Sequence, residues 1–388
     1  MDRGQAKEPG REKENGKEIR KEDSRKDSRR LVYLDAAKGM GILGVVASHC
    51  LVQTSLGAVS LWYDFFMLAI FYVYTGWRYA LRYGTDPTGI CFRRLAGRRL
   101  RSLGIPYVCY SLLFMAFRVF LVWPASYTPM VFLSDIYYTV TLVGLETLWF
   151  LPSMFLAELL LNSFYGKWKK MGLAAALGTA ASVCLILWIN GGRQDTTLWR
   201  ITHLPLMVYI KGLVGFLLAS GGAGGYFIWK WVCRHLGDRM SAVLSFCLLG
   251  ISFCLTSLVP RCDFNYLTMQ DPLSWIGTTL FASGAILMAG ERLEHSAGAW
   301  KQLGIIKKGI VPVFVWYGRH SLTVMCTHLV PVVAAFRVIA GKLTVPGILD
   351  QRPWDLILLG VVLVGEPFVV KAVERSFPWL EGKGKKCL

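Results

Sequence analysis

The sequence predicts an all-α membrane protein that crosses the bilayer about ten times, with both termini in the cytoplasm. Apolar stretches of about 18–25 residues recur between residues 31 and 373, and each is long enough to cross a hydrocarbon core about 30 Å thick. The 388 residues are 54% hydrophobic and only 18% charged, whereas soluble domains carry about 25% charged residues. These observations exclude a soluble enzyme, a secreted disulfide scaffold and a disordered chain.

The basic charge follows the predicted topology. The formal net charge is +18, and most of the 43 Lys and Arg residues lie in the two tails and in alternate loops. Five lie in the remaining loops, namely Arg193, Arg200, Arg261, Lys342 and Arg352. This asymmetry is the positive-inside rule, so the charge indicates contact with membrane lipids and no nucleic-acid partner.

Three regions are predicted along the chain. Residues 1–30 are mostly charged or small and lack the apolar core of a signal peptide, which predicts a disordered cytoplasmic tail. Residues 31–373 form the membrane domain, and residues 374–388 form a second short cytoplasmic tail. The predicted spans are 33–57, 61–81, 103–123, 147–165, 171–190, 203–229, 240–260, 273–290, 311–340 and 354–373.

Two segments of the membrane domain are irregular in sequence. Residues 130–146 are too short to cross, so they predict an outer, partly re-entrant element. Four glycines within residues 221–225 predict a break in the span 203–229, and they also allow neighbouring helices to approach closely.

Ionisable residues inside apolar spans are costly and therefore indicate function. Asp35 and Lys38 are three residues apart in the first span, so they share one face of a helix. His49 follows fourteen residues after Asp35 on nearly the same face, about 21 Å further along the helix axis, and Gly39 narrows the helix between them. Imidazole is the side chain best matched to proton transfer near neutral pH, so His49 is a candidate general base.

Five segments resemble one known family. Residues 33–49, YLDAAKGMGILGVVASH, resemble the opening of the integral-membrane acyltransferase 3 family, which includes O-antigen and fucose 4-O-acetylases. The other segments follow in the family's order: FFMLAIFYVYTGW at 65–77, RRLR at 98–101 running into IPY at 105–107, LWFLP at 148–152, and GRHSL at 318–322 with His328. Arg319 and His320 stand where the family has an asparagine, which leaves the role of His320 open. The resemblance extends over residues 31–373.

The resemblance implies acetyl-CoA, or another acyl-CoA, as the donor substrate, with no permanently bound cofactor. Guanidinium groups suit phosphate oxygens. The expected donor-binding residues are therefore Arg94, Arg98 and Arg101 of the basic loop, together with Lys38. These arginines have a second interpretation that involves no ligand, because cytoplasmic loops of membrane proteins are rich in Lys and Arg.

The resemblance also implies the catalytic residues. It gives the role of general base to His49. His328 is the alternative base or a second proton carrier, and its position in the late span predicts a depth similar to that of His49. Asp35 is counted with this group, although we expect it to pair with Lys38 or with an arginine rather than to touch the imidazole ring.

The expected acceptor-binding residues are Trp149, Phe150, Glu158 and Ser321. Aromatic residues at an interface are also typical of the belt that anchors membrane proteins, so Trp149 and Phe150 have a second interpretation. Glu158 has a second interpretation as well, because it and Glu366 are candidate structural partners for Arg118 or Arg337.

The chain is therefore predicted to be an O-acyltransferase, above all an O-acetyltransferase, in a bacterial plasma (inner) membrane. It would move an acyl group from cytoplasmic acyl-CoA to a hydroxyl of a cell-surface or lipid-linked carbohydrate. The ten cysteines include no CxxC pair, so no metal site is expected. A transporter or glycan exporter with a buried charged pathway is the alternative, although no internal repeat is visible. A simple membrane anchor would not need the buried charges.

Overall fold

The computed structural model describes residues 31–51, 58–85, 91–122, 127–193, 196–260, 262–295, 309–337 and 354–381, and these residues are almost entirely helical. Thirteen α-helices are described: α1 Val32–Cys50, α2 Ala58–Phe66, α3 Ala69–Tyr83, α4 Phe92–Arg99, α5 Ile105–Val122, α6 Pro129–Val140, α7 Phe150–Phe164, α8 Trp168–Gly191, α9 Thr197–Thr256, α10 Pro272–His295, α11 Ile310–Arg319, α12 Ser321–Thr327 and α13 Trp354–Ser376. A π-helical turn, Leu100–Gly104, joins α4 to α5, and a second, His328–Ala334, extends α12. A 3₁₀ turn, Glu146–Trp149, leads into α7, and another, Pro378–Glu381, follows α13. The predicted tail 1–30 and residues 382–388 lie outside the described residues.

The membrane assignment is supported by helix length and composition. Six helices in the described part are long and apolar enough to cross a membrane, and α2 with α3, bent by 47°, makes a seventh candidate span. Helix α9 counts once in that number, yet its 60 residues form two helical segments that meet at a kink at Gly237. The first segment contains the predicted span 203–229, and the second contains residues 240–256 of the predicted span 240–260. The protein is therefore a multi-pass helical protein, and about ten crossings with cytoplasmic termini stay a prediction.

The predicted break at residues 221–225 is wrong, because α9 continues through them. The glycines serve close packing instead. A Cβ on Gly222 would lie 2.2 Å from the Val73 carbonyl oxygen, and one on Gly76 would lie 1.7 Å from the Ala219 carbonyl oxygen. The backbones of α3 and α9 therefore touch, as glycines permit between membrane helices. The helix breaks later, at Gly237, whose φ of 69° and ψ of 178° are not helical.

Helix α9 is the centre of the fold and packs against α3, α7, α8 and α10. Large apolar side chains point away from this packed core. Phe120 is 84% exposed, Leu258 77% and Phe368 71%. In a multi-pass protein these are the surfaces that lipid covers, since acyl chains are as apolar as the side chains.

The outer element predicted at 130–146 is a short helix followed by an unusual turn. Helix α6 has 12 residues and so extends about 18 Å, which is less than the hydrocarbon core. Leu142, Gly144 and Glu146 then adopt positive φ angles of 64°, 79° and 51°. This left-handed segment turns the chain back into Trp149 and α7.

Candidate active site

Two histidines from opposite ends of the sequence meet inside the protein. His49 is half-buried in the last turn of α1, and His328 is fully buried at the start of the second π-helical turn. Their ring centroids are 5.3 Å apart, with a tilt of 40°. The prediction that the two histidines reach a similar depth is therefore confirmed. Isolated π turns inside helices are frequent at functional sites.

The hydrogen bonding of His328 fixes its tautomer. Its Nδ1 lies 2.7 Å from the Val324 carbonyl oxygen, and because a carbonyl only accepts, Nδ1 must donate. In a neutral ring Nε2 is then an acceptor, and that buried atom has no hydrogen-bond partner in the described part of the chain. His328 thus offers an acceptor nitrogen in the vicinity of His49.

A large cavity of about 2000 Å³ opens beside His49. His49, Trp149, Phe150 and Lys211 are among its lining residues. Trp149 and Phe150 therefore lie where a bound acceptor could reach the histidine. His328 is not part of this wall, so His49 is the histidine that faces the space.

The wall of the large cavity includes an ion-pair cluster. The Arg118 Nη1 donates to both Asp135 carboxylate oxygens, at 2.8 and 2.9 Å, and Nη2 pairs with Glu146. The Tyr127 hydroxyl donates to Asp135 at 2.9 Å. The cluster ties α6 and the left-handed segment to α5. The expectation that Glu158 or Glu366 partners Arg118 is wrong, because Arg118 is paired within this cluster.

A second cavity of about 560 Å³, which we call the basic cavity, holds most of the predicted donor-binding residues. Lys38, Arg98 and Arg101 line it, whereas Arg94 is exposed on α4 and lies outside its wall. Three further basic residues line it that are not among the expected donor-binding residues, namely Arg78, Arg82 and Arg99, the last of which belongs to the RRLR segment. The first two are four residues apart on α3 and so share a helix face, which is the signal that could have revealed them.

Glu158 and Ser321 belong to the basic cavity, not to the wall that carries Trp149. Glu158 is 3% exposed and forms an ion pair with Arg99. The reason is helix length, because Glu158 follows Trp149 by nine residues, about 13 Å along α7. Both residues therefore line the basic cavity and are separate from the wall that carries Trp149, and a role for them in binding the acceptor stays a prediction.

The two cavities meet at a thin partition. Phe150 and Met325 line both of them. The Met325 carbonyl accepts a 2.8 Å hydrogen bond from the Thr147 hydroxyl, which fixes α12 against the start of α7. A ligand in the basic cavity would thus reach the large cavity by passing these two side chains.

Asp35 has the partners that we expected for it. Its Oδ1 lies 3.4 Å from the Lys38 ammonium, and its Oδ2 accepts from Arg319 Nε at 3.3 Å. It lines neither cavity, and fourteen residues separate it from His49 on the same helix. These contacts favour a role in positioning α1 against α11, not a part in the chemistry at His49.

His320 also makes contacts within the bundle. Its Nδ1 lies 2.9 Å from the Trp316 carbonyl, and its Nε2 lies 3.3 Å from Glu374 on α13. His320 thus links the junction of α11 and α12 to α13.

Comparison with known proteins identifies the family. The acyltransferase 3 family model, described as an acyltransferase domain, matches residues 31–365. The chain belongs to the acyltransferase 3 family. It is accordingly a membrane acyltransferase, as the five sequence segments indicated. No curated protein and no solved structure gives a significant match to the chain.

The described part of the chain contains no group of three or more His, Cys, Asp or Glu residues that could hold a metal ion.

Proposed function

We propose that this acyltransferase is an O-acyltransferase of the plasma membrane that moves an acetyl group from acetyl-CoA to a carbohydrate hydroxyl. The observation that carries the proposal is the meeting of the two cavities at Phe150 and Met325, with His49 on the large-cavity side. Such an arrangement lets a donor and an acceptor approach one histidine from two directions.

The basic cavity is suited to the donor. Its wall contains six basic side chains and one carboxylate, Glu158, which is already paired with Arg99. Guanidinium groups bind phosphate oxygens through paired hydrogen bonds, and coenzyme A carries several phosphates. The positive-inside rule places this part of the chain on the cytoplasmic side, where acyl-CoA is made.

The reaction that fits this geometry is direct transfer. A sugar hydroxyl is a weak nucleophile, and His49 takes its proton as the oxygen attacks the thioester carbonyl carbon. The carbon–sulfur bond then breaks, and the departing CoA thiolate receives the proton from the His49 imidazolium. The products are the sugar ester and free CoA.

His328 acts as a positioning residue in this mechanism. Its Nδ1 is held by the Val324 carbonyl, which leaves Nε2 able to accept a hydrogen bond from one nitrogen of His49. That bond would keep the proton on the inner nitrogen of His49 and leave the outer nitrogen free to accept the hydroxyl proton. A partner of this kind sets the tautomer of a catalytic histidine.

The first experiment tests the transfer and its base. The purified protein in nanodiscs is given radiolabelled acetyl-CoA and a panel of free and lipid-linked glycans. We expect label on a glycan with the wild type, a loss of about 10²–10⁴-fold in rate with His49→Ala, and unchanged acetyl-CoA binding. His235→Ala is the matched control, because His235 is exposed and contacts Trp231 of its own helix. If the wild type neither binds acetyl-CoA nor releases CoA with any glycan, the proposal fails, and the acyltransferase must use a different donor and acceptor.

A second experiment tests the donor side. Arg98→Ala with Arg101→Ala removes two side chains from the basic cavity, so acetyl-CoA binding should weaken by at least tenfold. Arg94→Ala removes an arginine of the same basic segment that does not line the cavity, and binding should stay unchanged. Equal weakening by both changes would contradict a defined donor site and would favour a general effect of surface charge.

A further inference from the structure

A buried cation lies in the wall of the large cavity. Lys211 is on α9, only 4% exposed, and its ammonium lies 4.0 Å above the Trp149 ring. It donates one hydrogen bond, of 3.3 Å, to the Asn265 side-chain oxygen. A cation over an indole face is held by the ring quadrupole, but neither the ring nor the amide carries a negative charge.

The described residues give Lys211 no ion-pair partner within 4.0 Å. The carboxylate that acts on it electrostatically, Asp263, is exposed, and its Oδ1 already accepts from the backbone N–H groups of Asn265 and Tyr266. Burying a charge is unfavourable unless another charge compensates it. A lysine in this position, facing a cavity, is therefore a binding group for an anion that arrives with a ligand.

The residues around Lys211 indicate which chemical group would lie beside the anion. Trp149, Phe264 and Trp275 form an aromatic wall, with Phe264 stacked on Trp275 at 5.0 Å and Trp149 edge-on to Phe264 at 5.7 Å. All three side chains line the large cavity. Aromatic faces offer apolar contact area to the C–H face of a sugar ring, while the ammonium offers charge.

The charge of the whole cavity points the same way. Five cationic side chains line it, Arg118, Arg193, Arg200, Lys211 and Arg337, against the four carboxylates of Asp64, Asp135, Glu146 and Asp263. Asp135 and Glu146 are both paired with Arg118. The wall therefore carries a formal excess of one positive charge, and Lys211 is a buried contributor to it.

We infer that the large cavity selects an acceptor whose sugar carries a carboxylate or a phosphate, and that Lys211 binds this acidic group beside Trp149. The inference rests on the proposed function, because it names the chemical class of the acceptor. Lys211 is then a specificity-determining residue, and the hydroxyl that reacts at His49 belongs to the same bound molecule.

A matched pair of sugars tests the inference. Methyl β-D-glucuronide and methyl β-D-glucoside differ only by a carboxylate in place of a hydroxymethyl group, and glucose 1-phosphate tests the phosphate form. Binding of each to the full chain in nanodiscs is measured by calorimetry, beside acetyl-CoA binding on the same samples. We expect at least one acidic sugar to bind the wild type ten or more times more tightly than the glucoside. Whichever acidic sugar does so identifies the group as a carboxylate or a phosphate.

Four variants make the test specific to Lys211. Lys211→Met should abolish the preference for the acidic sugar, and Lys211→Arg should keep part of it. Asn265→Asp should also abolish it while leaving the lysine in place, because the new carboxylate would pair with the ammonium. Lys169→Met removes an exposed lysine on α8 and should change nothing.

Three results would overturn the inference: equal binding of acidic and neutral sugars, no binding of either acidic sugar, or an acidic preference that survives in both Lys211→Met and Asn265→Asp. Each is distinguishable from failure of the proposed function. If acetyl-CoA binds and acetyl transfer to a neutral glycan proceeds, the acyltransferase proposal stands and only the acceptor class is wrong.

Discussion

Replacing Gly39 by alanine should separate the helices that carry the two histidines. A Cβ at this position would lie 1.8 Å from the Phe314 carbonyl oxygen, with the Phe314 carbonyl carbon and Cα at 2.6 and 2.8 Å. All three atoms are backbone, so no side-chain rotation can make room. Gly318 makes the reciprocal contact, with its Cβ position 1.7 Å from the Asp35 carbonyl oxygen. Helices α1 and α11 are therefore in backbone contact at two places.

The size of the effect follows from these distances. An ordinary C···O contact is about 3.3–3.6 Å, so α1 and α11 must move apart by about 1.5 Å. Overpacking of this kind costs about 1–3 kcal/mol, and the better helix propensity of alanine offsets up to about 1 kcal/mol. Because α1 carries His49 in its last turn and α11 leads through α12 to His328, the shift displaces one ring from the other. A misplacement of about 1 Å can lower a rate about 10²-fold.

The assay compares Gly39→Ala with Gly178→Ala in the same detergent. We expect Gly39→Ala to lower the Tm and the acyl-transfer rate together. Gly178 has no atom within 4 Å of its Cβ position, so its replacement should leave both unchanged or raise the Tm. If Gly39→Ala keeps the wild-type Tm and rate, the backbone contact between α1 and α11 does not exist and the reasoning is refuted.

Three further changes separate the parts of the site. Gly144→Ala forces an alanine to adopt a φ of 79° and brings its Cβ to within 2.4 Å of the Trp149 backbone nitrogen. It should lower the free energy of unfolding by about 1–2 kcal/mol. Because it displaces Trp149, it should raise the KM for the acceptor and leave the KM for acyl-CoA unchanged. Glu158→Gln weakens the buried ion pair with Arg99, so the free energy of unfolding should fall by about 1–3 kcal/mol and the affinity for acyl-CoA should change. A changed KM for the acceptor would instead indicate that Glu158 belongs to the acceptor site. Arg118→Met leaves the buried Asp135 carboxylate without its ion-pair partner. It should lower the free energy of unfolding by about 2–3 kcal/mol and leave the Kd for acyl-CoA unchanged. An unchanged Tm would show that the ion-pair cluster of Arg118 contributes little to stability.

Several features of the site could be predicted because they are local in sequence. Helical periodicity placed Asp35 and Lys38 on one face, and the structure pairs them. The resemblance of the RRLR segment to the family's basic loop selected Arg98 and Arg101, which line one cavity together. A count of residues along the late span predicted a similar depth for His328 and His49, and their ring centroids lie 5.3 Å apart. Each of these inferences needed only a short segment of sequence or the length of a helix.

Other features depend on contacts between distant segments and have no local signal. Lys211 is recognisable as a buried charge, but its environment comes from Asn265, 54 residues later. The glycines at 221–225 look like a helix break because glycine is a poor helix former. In the fold Gly222 contacts the backbone of α3 at Val73, and no pattern within α9 contains that information.

Chemical rescue tests the role of His49 most directly. His49→Ala leaves a space beside a cavity of about 2000 Å³, which is large enough to admit free imidazole. We predict that acyl transfer by His49→Ala falls about 10²–10⁴-fold, that added imidazole restores part of the rate in a saturable way, and that the exposed-histidine variant His235→Ala neither loses activity nor responds to imidazole. Transfer by His49→Ala at the wild-type rate without imidazole would contradict the assignment of His49 as the base.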